Sequence, residues 1–249
     1  MNSIVANRQA GFAYLPGDPY PFSNGVVALD GHALTRVRLR KPLPLAEGLA
    51  FAASFIAAQG RPLASMAACE LRSPAALSPT DFVSFNANYV GLLRANGFGA
   101  ETGFPVGRSN MAPLFSPPAT NVLFAFTYTV LGNTDGNASG PDFLISGKPE
   151  IADDPPGIVA PGDVSPAGMA IKASHVIVEL ERRVQALGGR WTDITGAQAY
   201  TIHSLDSVMD ILRSSGLAGV GLSLFPAYPP VVGLDFEIDV RSIGTERAV

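Results

Sequence analysis

Apolar and polar positions alternate along the chain in short runs, each closed by glycine or proline. Residues 25–29 read as a strand, and 33–40 (ALTRVRLR) alternate with the period of two of a half-buried strand. Gly31 lies between them, where a hairpin turn fits. Residues 45–59 change to the helical period, with Leu49, Ala52, Ala53 and Ile56 on one face and Gly60 at the end. A strand follows over 65–72. A second helix then carries Phe82, Phe85, Tyr89 and Leu93 at helical spacing, capped by Thr80 or Asp81 and ending near Asn96-Gly97. Beyond a proline-rich loop, 121–131 (NVLFAFTYTVL) has the β-branched and aromatic character of a strand.

The segment from Gly132 to Gly140 is small and polar and forms the best internal boundary, predicting units of 1–132 and 133–249. After it the order repeats. Residues 142–146 predict a strand, and 149–166 form a Pro/Gly/Asp-rich loop. A long helix spans 168–187, with Ala173, Val176, Ile177, Leu180, Val184 and Leu187 on its stripe. Glu179 and Arg183 stand four apart on the side expected to be wet. A strand at 197–203, a short helix at 205–213 and an alternating strand at 234–241 complete the second half. Two successive strand–helix–strand–helix–strand units predict an α+β protein, each half a sheet with two helices on one face.

Apolar residues make up 47% of the chain and charged residues only 15%, and so charge-poor a surface suggests an oligomer. The formal charge of −4 and pI near 5.3 argue against nucleic acid or an anionic membrane as partner, and no run is long enough for a membrane span. Cys69 is the single cysteine, so no internal disulfide can form, and His32, His175 and His203 lack metal-ligand spacing. Neither a metal nor a cofactor is expected: no glycine-rich phosphate loop, HExxH or CxxC occurs. No signal peptide is recognisable at the start, and a cytoplasmic setting is the expectation.

Five segments, in order, resemble the RidA/YjgF family. DFVSFNANYVGLL is similar to its "dFxxvNxxYxxxF" helix and FPVGRSNMAP to its "PARS" segment; FLISGKPE is similar to its "FxSGQ" strand-turn. The stretch from Lys172 to Ser204 resembles the helix, glycine stop and strand that follow, and LDFEIDV the closing "vEIe" strand. The resemblance implies two chorismate-mutase-like domains in tandem, each a mixed sheet with two helices on one face, of a kind that assembles into trimers with sites in the clefts between units.

It also implies a set of site residues. Arg108 stands where the family holds a substrate carboxylate, and a guanidinium fork suits that task; an ordinary surface arginine, or one paired to Glu101, is the alternative. Asn86 lies at the family's ligand-side asparagine, while Tyr89 is read as core. Ser146 and Gly147 match the strand end whose backbone donors face the ligand, with a plain turn as the alternative. Glu237 matches the acid that orients water, or is a salt-bridged strand glutamate. Arg72 and Asn110 could add polar groups. In the second half Tyr228, within Pro226-Ala227-Tyr228-Pro229, is taken to stand at the arginine's position, which implies a degenerate site there. Cys69 is read as a buried hydrophobe and His203 as structural. The implied activity is metal-free hydrolytic deamination of small carboxylated enamines or imines, 2-aminomuconate-like or 2-aminoacrylate-like. The alternatives are a non-catalytic protein that binds small acids, and a chorismatase-like or cyclic-amide hydrolase.

Overall fold

The computed structural model describes residues 3–17, 20–99, 103–132 and 140–249. In the first half, strand β4 (His32–Pro44) leads into helix α1 (Leu45–Ala58); β5 (Met66–Arg72), α2 (Pro79–Ala95), β6 (Gly107–Pro113) and β7 (Val122–Leu131) follow. The second half repeats the order with β8 (Phe143–Pro149), α3 (Pro166–Ala186), β11 (Gly196–Thr201), α4 (Asp206–Ser214), β12 (Gly221–Tyr228) and β13 (Glu237–Ser242). Short strands β9 (Ile151–Asp153) and β10 (Pro156–Ile158) form a separate ribbon after β8. The α+β architecture with two helices per half agrees with the sequence reading.

Four additional strands, three at the start of the chain and one at the far end, join the sheet through distant partners. β1 (Val5–Asn7), β2 (Phe12–Leu15) and β3 (Gly25–Ala28) form a meander that pairs with β8, so the start of the chain extends the second half's sheet. Conversely β14 (Thr245–Ala248), at the other end, runs parallel to β4 in the first half. The hairpin expected around Gly31 therefore does not form: β3 pairs with β2 and β8, and β4 with β7 and β14. The boundary segment 133–139 lies outside the described residues.

The expectation of one sheet per half is also changed. Ala227 and Tyr228 of β12 pair antiparallel with Pro113 and Ala112 of β6, which joins both halves into one sheet, β1-β2-β3-β8-β13-β11-β12-β6-β5-β7-β4-β14. β6 is not legible as a strand from its small and polar residues, and in β12 Pro226 interrupts an otherwise apolar run; pairing on two sides makes them strands.

The helices cover separate cores. Leu49, Ile56, Phe85 and Tyr89 pack on Leu123 and Phe126 in the first half, and Val176, Leu180, Val184, Val208 and Leu212 on Ile238 and Val240 in the second. Ser78 caps α2, accepting a hydrogen bond from the Asp81 N–H, with Pro79 opening the first turn. The cap thus lies two residues before Thr80, because a proline after the serine suits the missing donor.

Between the halves runs a buried polar network. Arg36 grips both oxygens of Glu70 at 2.5 and 2.8 Å, and the Gln198 amide donates to Glu70 (3.0 Å) and Asp239 (3.2 Å). Tyr200 donates to Asp239, and Glu246 of β14 receives Arg36 at 3.0 Å and Arg241 at 2.5 Å. Burial alone would raise the Glu70 carboxyl, but Arg36 holds it down to about 2.

Candidate active site

The sheet curls until β6 of the first half meets β8 of the second. Gly107 bridges Ser23, and the Ser23 N–H donates to the Val106 carbonyl at 3.1 Å. The Ser146 hydroxyl accepts the Arg108 N–H at 3.0 Å and donates to the Ser23 carbonyl at 2.6 Å. Opposite this seam β8 is irregular: Lys148 pairs with Ile238 and Ile145 with Val240, so Ser146 and Gly147 together face Asp239. Such a bulge re-aims the neighbouring side chains. Gly147 is required, since a Cβ there would collide with the Glu237 carboxyl.

Arg108 enters from the second position of β6 and is buried against α2. Its Nη1 donates to Asn86 Oδ1 at 2.7 Å. The guanidinium lies 4.2 Å from the Phe22 ring centre, 5.1 Å from Tyr89, and 5.3 Å from both Phe82 and Phe85. Among the described residues no carboxylate lies within ion-pair distance of it. Burial pushes its pKa down to about 10. A desolvated guanidinium held by one amide and aromatic faces is built to receive an anion.

Glu237, first residue of β13, carries the complementary group. It is 2% exposed and its Oε2 has no hydrogen-bond partner among the described residues. Burial, then the neighbouring Asp239 and Glu150, pushes its carboxyl well above the usual range against the pull of Arg108 and Lys148. The group is therefore held toward its protonated form, in which it can donate a proton as well as accept a hydrogen bond. Cys69, beside Tyr89 and Arg108, is not a nucleophile here: burial pushes its thiol up to about 12.

A family model described as 2-aminomuconate deaminase CnbZ matches residues 4–247. The chain belongs to the 2-aminomuconate deaminase family. The 2-amino-5-chloromuconate deaminase of Comamonas testosteroni is 37% identical over 254 residues, covering 100% of both chains. Among solved structures, a chorismatase aligns with a TM-score of 0.52 at 12% identity, over 88% of this chain and 77% of that one. RidA from an Antarctic Psychrobacter species aligns over 46% of this chain and 90% of its own, with a TM-score of 0.33 and 15% identity. The tandem RidA/YjgF resemblance of the sequence agrees with this membership.

Within this deaminase-family fold, Arg108, Asn86, Ser146, Gly147 and Glu237 come together where β6, α2, β8 and β13 meet. Three other sequence candidates do not join them. The Asn110 amide is held by the Ser73 hydroxyl at 2.9 Å. Arg72 is sandwiched between Phe124 (4.0 Å) and Phe225 (5.3 Å) and donates to the Leu71 carbonyl and to Gln198, as part of the buried network. Tyr228 is 38% exposed on a separate cavity of about 560 Å³ that it shares with His203. Its strand position also differs from that of Arg108. Arg108 pairs with Cys69 near the start of β6, whereas Tyr228 ends β12, beyond the last β11 pairing at Thr201 and Pro226. The likeness of PAYP to PARS is one of letters, not of register. His203 is paired to Asp235 at 3.1 Å, and Glu101 lies outside the described residues.

Two cations near Glu237 escaped sequence reasoning. Lys148 is 3% exposed and immediately follows Gly147. Its signal was present, since lysine stands here where the family pattern "FxSGQ" has glutamine. Arg183 was expected on the wet side of its helix beside Glu179; instead it is 8% exposed, and Glu179 pairs with Arg182 at 2.7 Å. The helix turns Arg183 inward beside the Val184 stripe, and apolar periodicity alone assigns it outward.

Proposed function

We propose that the Arg108–Glu237 cluster is the reaction centre for hydrolytic deamination of an aminomuconate-like compound, a conjugated diacid bearing an enamine. The single observation that carries this reading is a buried arginine with no carboxylate at ion-pair distance among the described residues, in the same cluster as a buried carboxyl whose Oε2 has no hydrogen-bond partner and whose pKa burial pushes up. Membership in the deaminase family and the full-length likeness to 2-amino-5-chloromuconate deaminase support the substrate class.

The substrate's carboxylate next to the amino carbon lies on Arg108, steadied by Asn86. The Glu237 carboxyl gives its proton to the enamine carbon, producing an iminium, and the resulting carboxylate then takes a proton from a water molecule as its oxygen adds to the same amino carbon. The C–N bond of that adduct breaks as Glu237 returns the proton to nitrogen and then takes the hydroxyl proton, which restores its protonated form. The enamine and one water thus become a keto acid and ammonia. Glu237 serves as donor first and water activator second, which follows from its raised pKa. Since an iminium is already electrophilic, positioning and proton transfer suffice for the step.

The charge-poor composition and exposed Val83, Phe115 and Leu131 support an oligomer, which the family resemblance makes a trimer. Among the described residues no helix is long and apolar enough to cross a membrane. A cytoplasmic setting, supported by the single buried, unpaired Cys69, completes the reading.

The test follows ammonia release from 2-aminomuconate by the purified chain. Arg108→Gln lowers kcat/KM by about 10²–10³-fold, and Glu237→Gln lowers kcat by about 10²–10⁴-fold. Wild-type rates in both variants would overturn the assignment. Tight keto-acid binding dependent on Arg108, with no turnover by the wild type, would favour a non-catalytic acid-binding protein.

A further inference from the structure

The reaction centre described above holds one carboxylate and one proton donor, yet Glu237 faces two further cations. Lys148 is the residue after the bulge glycine on which the Glu237 carboxyl rests. Its ammonium bonds the Ile151 carbonyl, and its nearest acid, Asp153, lies at 3.8 Å with a side chain 64% exposed. Arg183 stands in the last turn of α3, the helix packed on β8. It is more than nine-tenths buried, its Nε has no hydrogen-bond partner, and no carboxylate lies within ion-pair distance among the described residues.

Two cations buried side by side with so little compensation are costly unless an anion joins them. Arg182, one residue before Arg183, is neutralised by Glu179. Arg183 is therefore left without the acid that its own helix could have supplied. Burial and then Arg183 push Lys148 down to about 8, and burial pushes Arg183 down to about 10 against the pull of Asp153, Glu179 and Glu237. Arg108 is likewise buried without a carboxylate at ion-pair distance, and the charges of Arg108, Lys148 and Arg183 all act on the Glu237 carboxyl or feel it.

We infer that Lys148 and Arg183 form a second carboxylate subsite, which takes the far carboxylate of a linear unsaturated diacid whose first carboxylate lies on Arg108, with the reacting carbon beside Glu237 between them. The inference rests on the proposed function and deepens it, by making two carboxylates, rather than one, the recognised feature of the substrate. The two cationic ends reject a monocarboxylate by leaving Arg183 without an ion-pair partner and Lys148 with only the exposed Asp153, and so separate an aminomuconate-like substrate from an aminoacrylate-like one.

The test uses two stable probes of the same length, muconate with two carboxylates and sorbate with one, titrated calorimetrically into the purified full chain. Wild type binds muconate more tightly than sorbate. Arg183→Gln and Lys148→Met each weaken muconate by about tenfold to a hundredfold and leave sorbate unchanged, while Arg183→Lys retains part of the preference. Arg108→Gln weakens both probes. The muconate preference also declines as pH rises through about 8, where Lys148 loses its proton, and the sorbate affinity does not follow. Equal losses for both probes in Arg183→Gln and Lys148→Met would overturn the subsite and leave these residues with a structural role, as would wild-type muconate affinity in both variants. A wild type that binds neither probe would instead remove the reaction centre itself, and the two failures are thus distinct.

Discussion

The seam between the halves carries two buried polar clusters that treat charge in opposite ways. Around Glu70, the carboxylates meet partners from other parts of the chain: Arg36 from β4, Gln198 from β11, and Glu246 of β14 receiving Arg36 and Arg241, with Arg241 Nη1 the cluster's one buried atom left without a hydrogen-bond partner among the described residues. Around Glu237, Arg108 has an amide and aromatic faces, Arg183 has an unpartnered Nε, and the carboxyl itself has a free oxygen. The two regions have similar burial and similar residue types, so composition does not separate them. Closure does. A network that satisfies itself fixes the geometry of the fold, whereas one left open at several atoms is complete only with a ligand.

The contrast breaks first at Glu70. Glu70→Ala leaves Arg36 buried without its bidentate partner and lowers unfolding free energy by about 3–5 kcal/mol, measured by urea denaturation at pH 7. A loss near that of a surface substitution would show that the two clusters do not differ as described. The same carboxylate has a folded pKa of about 2, below its ordinary value of 4.5. Its contribution is complete above pH 4.5 and is lost as pH falls through about 2.

Glu237 has the opposite sign. Because burial raises its folded pKa above 4.5, the folded protein binds this proton more tightly than the unfolded chain, and stability from this group declines as pH rises beyond 4.5. Glu237→Gln removes that decline. The variant is expected to be more stable than wild type at pH 7 while losing activity, with thermal unfolding at several pH values as the check. Lower stability at every pH would place Glu237 in the self-satisfied class. The smallest effect belongs to Tyr228→Phe: within ~0.5 kcal/mol in stability and unchanged in kcat/KM, since the hydroxyl is remote from Arg108. A large loss of activity there would extend the site across the second cavity.

How much of this was legible follows from range. The stripes of α1, α2 and α3 and the alternation in β4 and β7 are local signals, and each marks an element within a few residues. Arg108, Asn86, Ser146, Gly147 and Glu237 were legible through their motifs, and the structure brings these five together. β6 and β12 were not, because a small polar run and a proline-interrupted apolar one become strands only through β5, β11 and each other. Arg183 was misplaced because helical periodicity reads arginine as solvated, and only the neighbouring β8 turns that position inward. Tyr228 was misplaced because a two-letter likeness carries no register.

The exchange of terminal strands has a consequence for synthesis. Residues 5–28 leave the ribosome first, yet the strand they pair with, β8, begins at Phe143, and β4 must await Thr245–Ala248 for its outer neighbour. Neither half can finish its sheet from its own stretch of message. A gene divided between residues 132 and 140 would yield two fragments, each holding edge strands that belong to the other. They would reach the native state by mutual complementation, as a two-piece protein, and not as two independent modules.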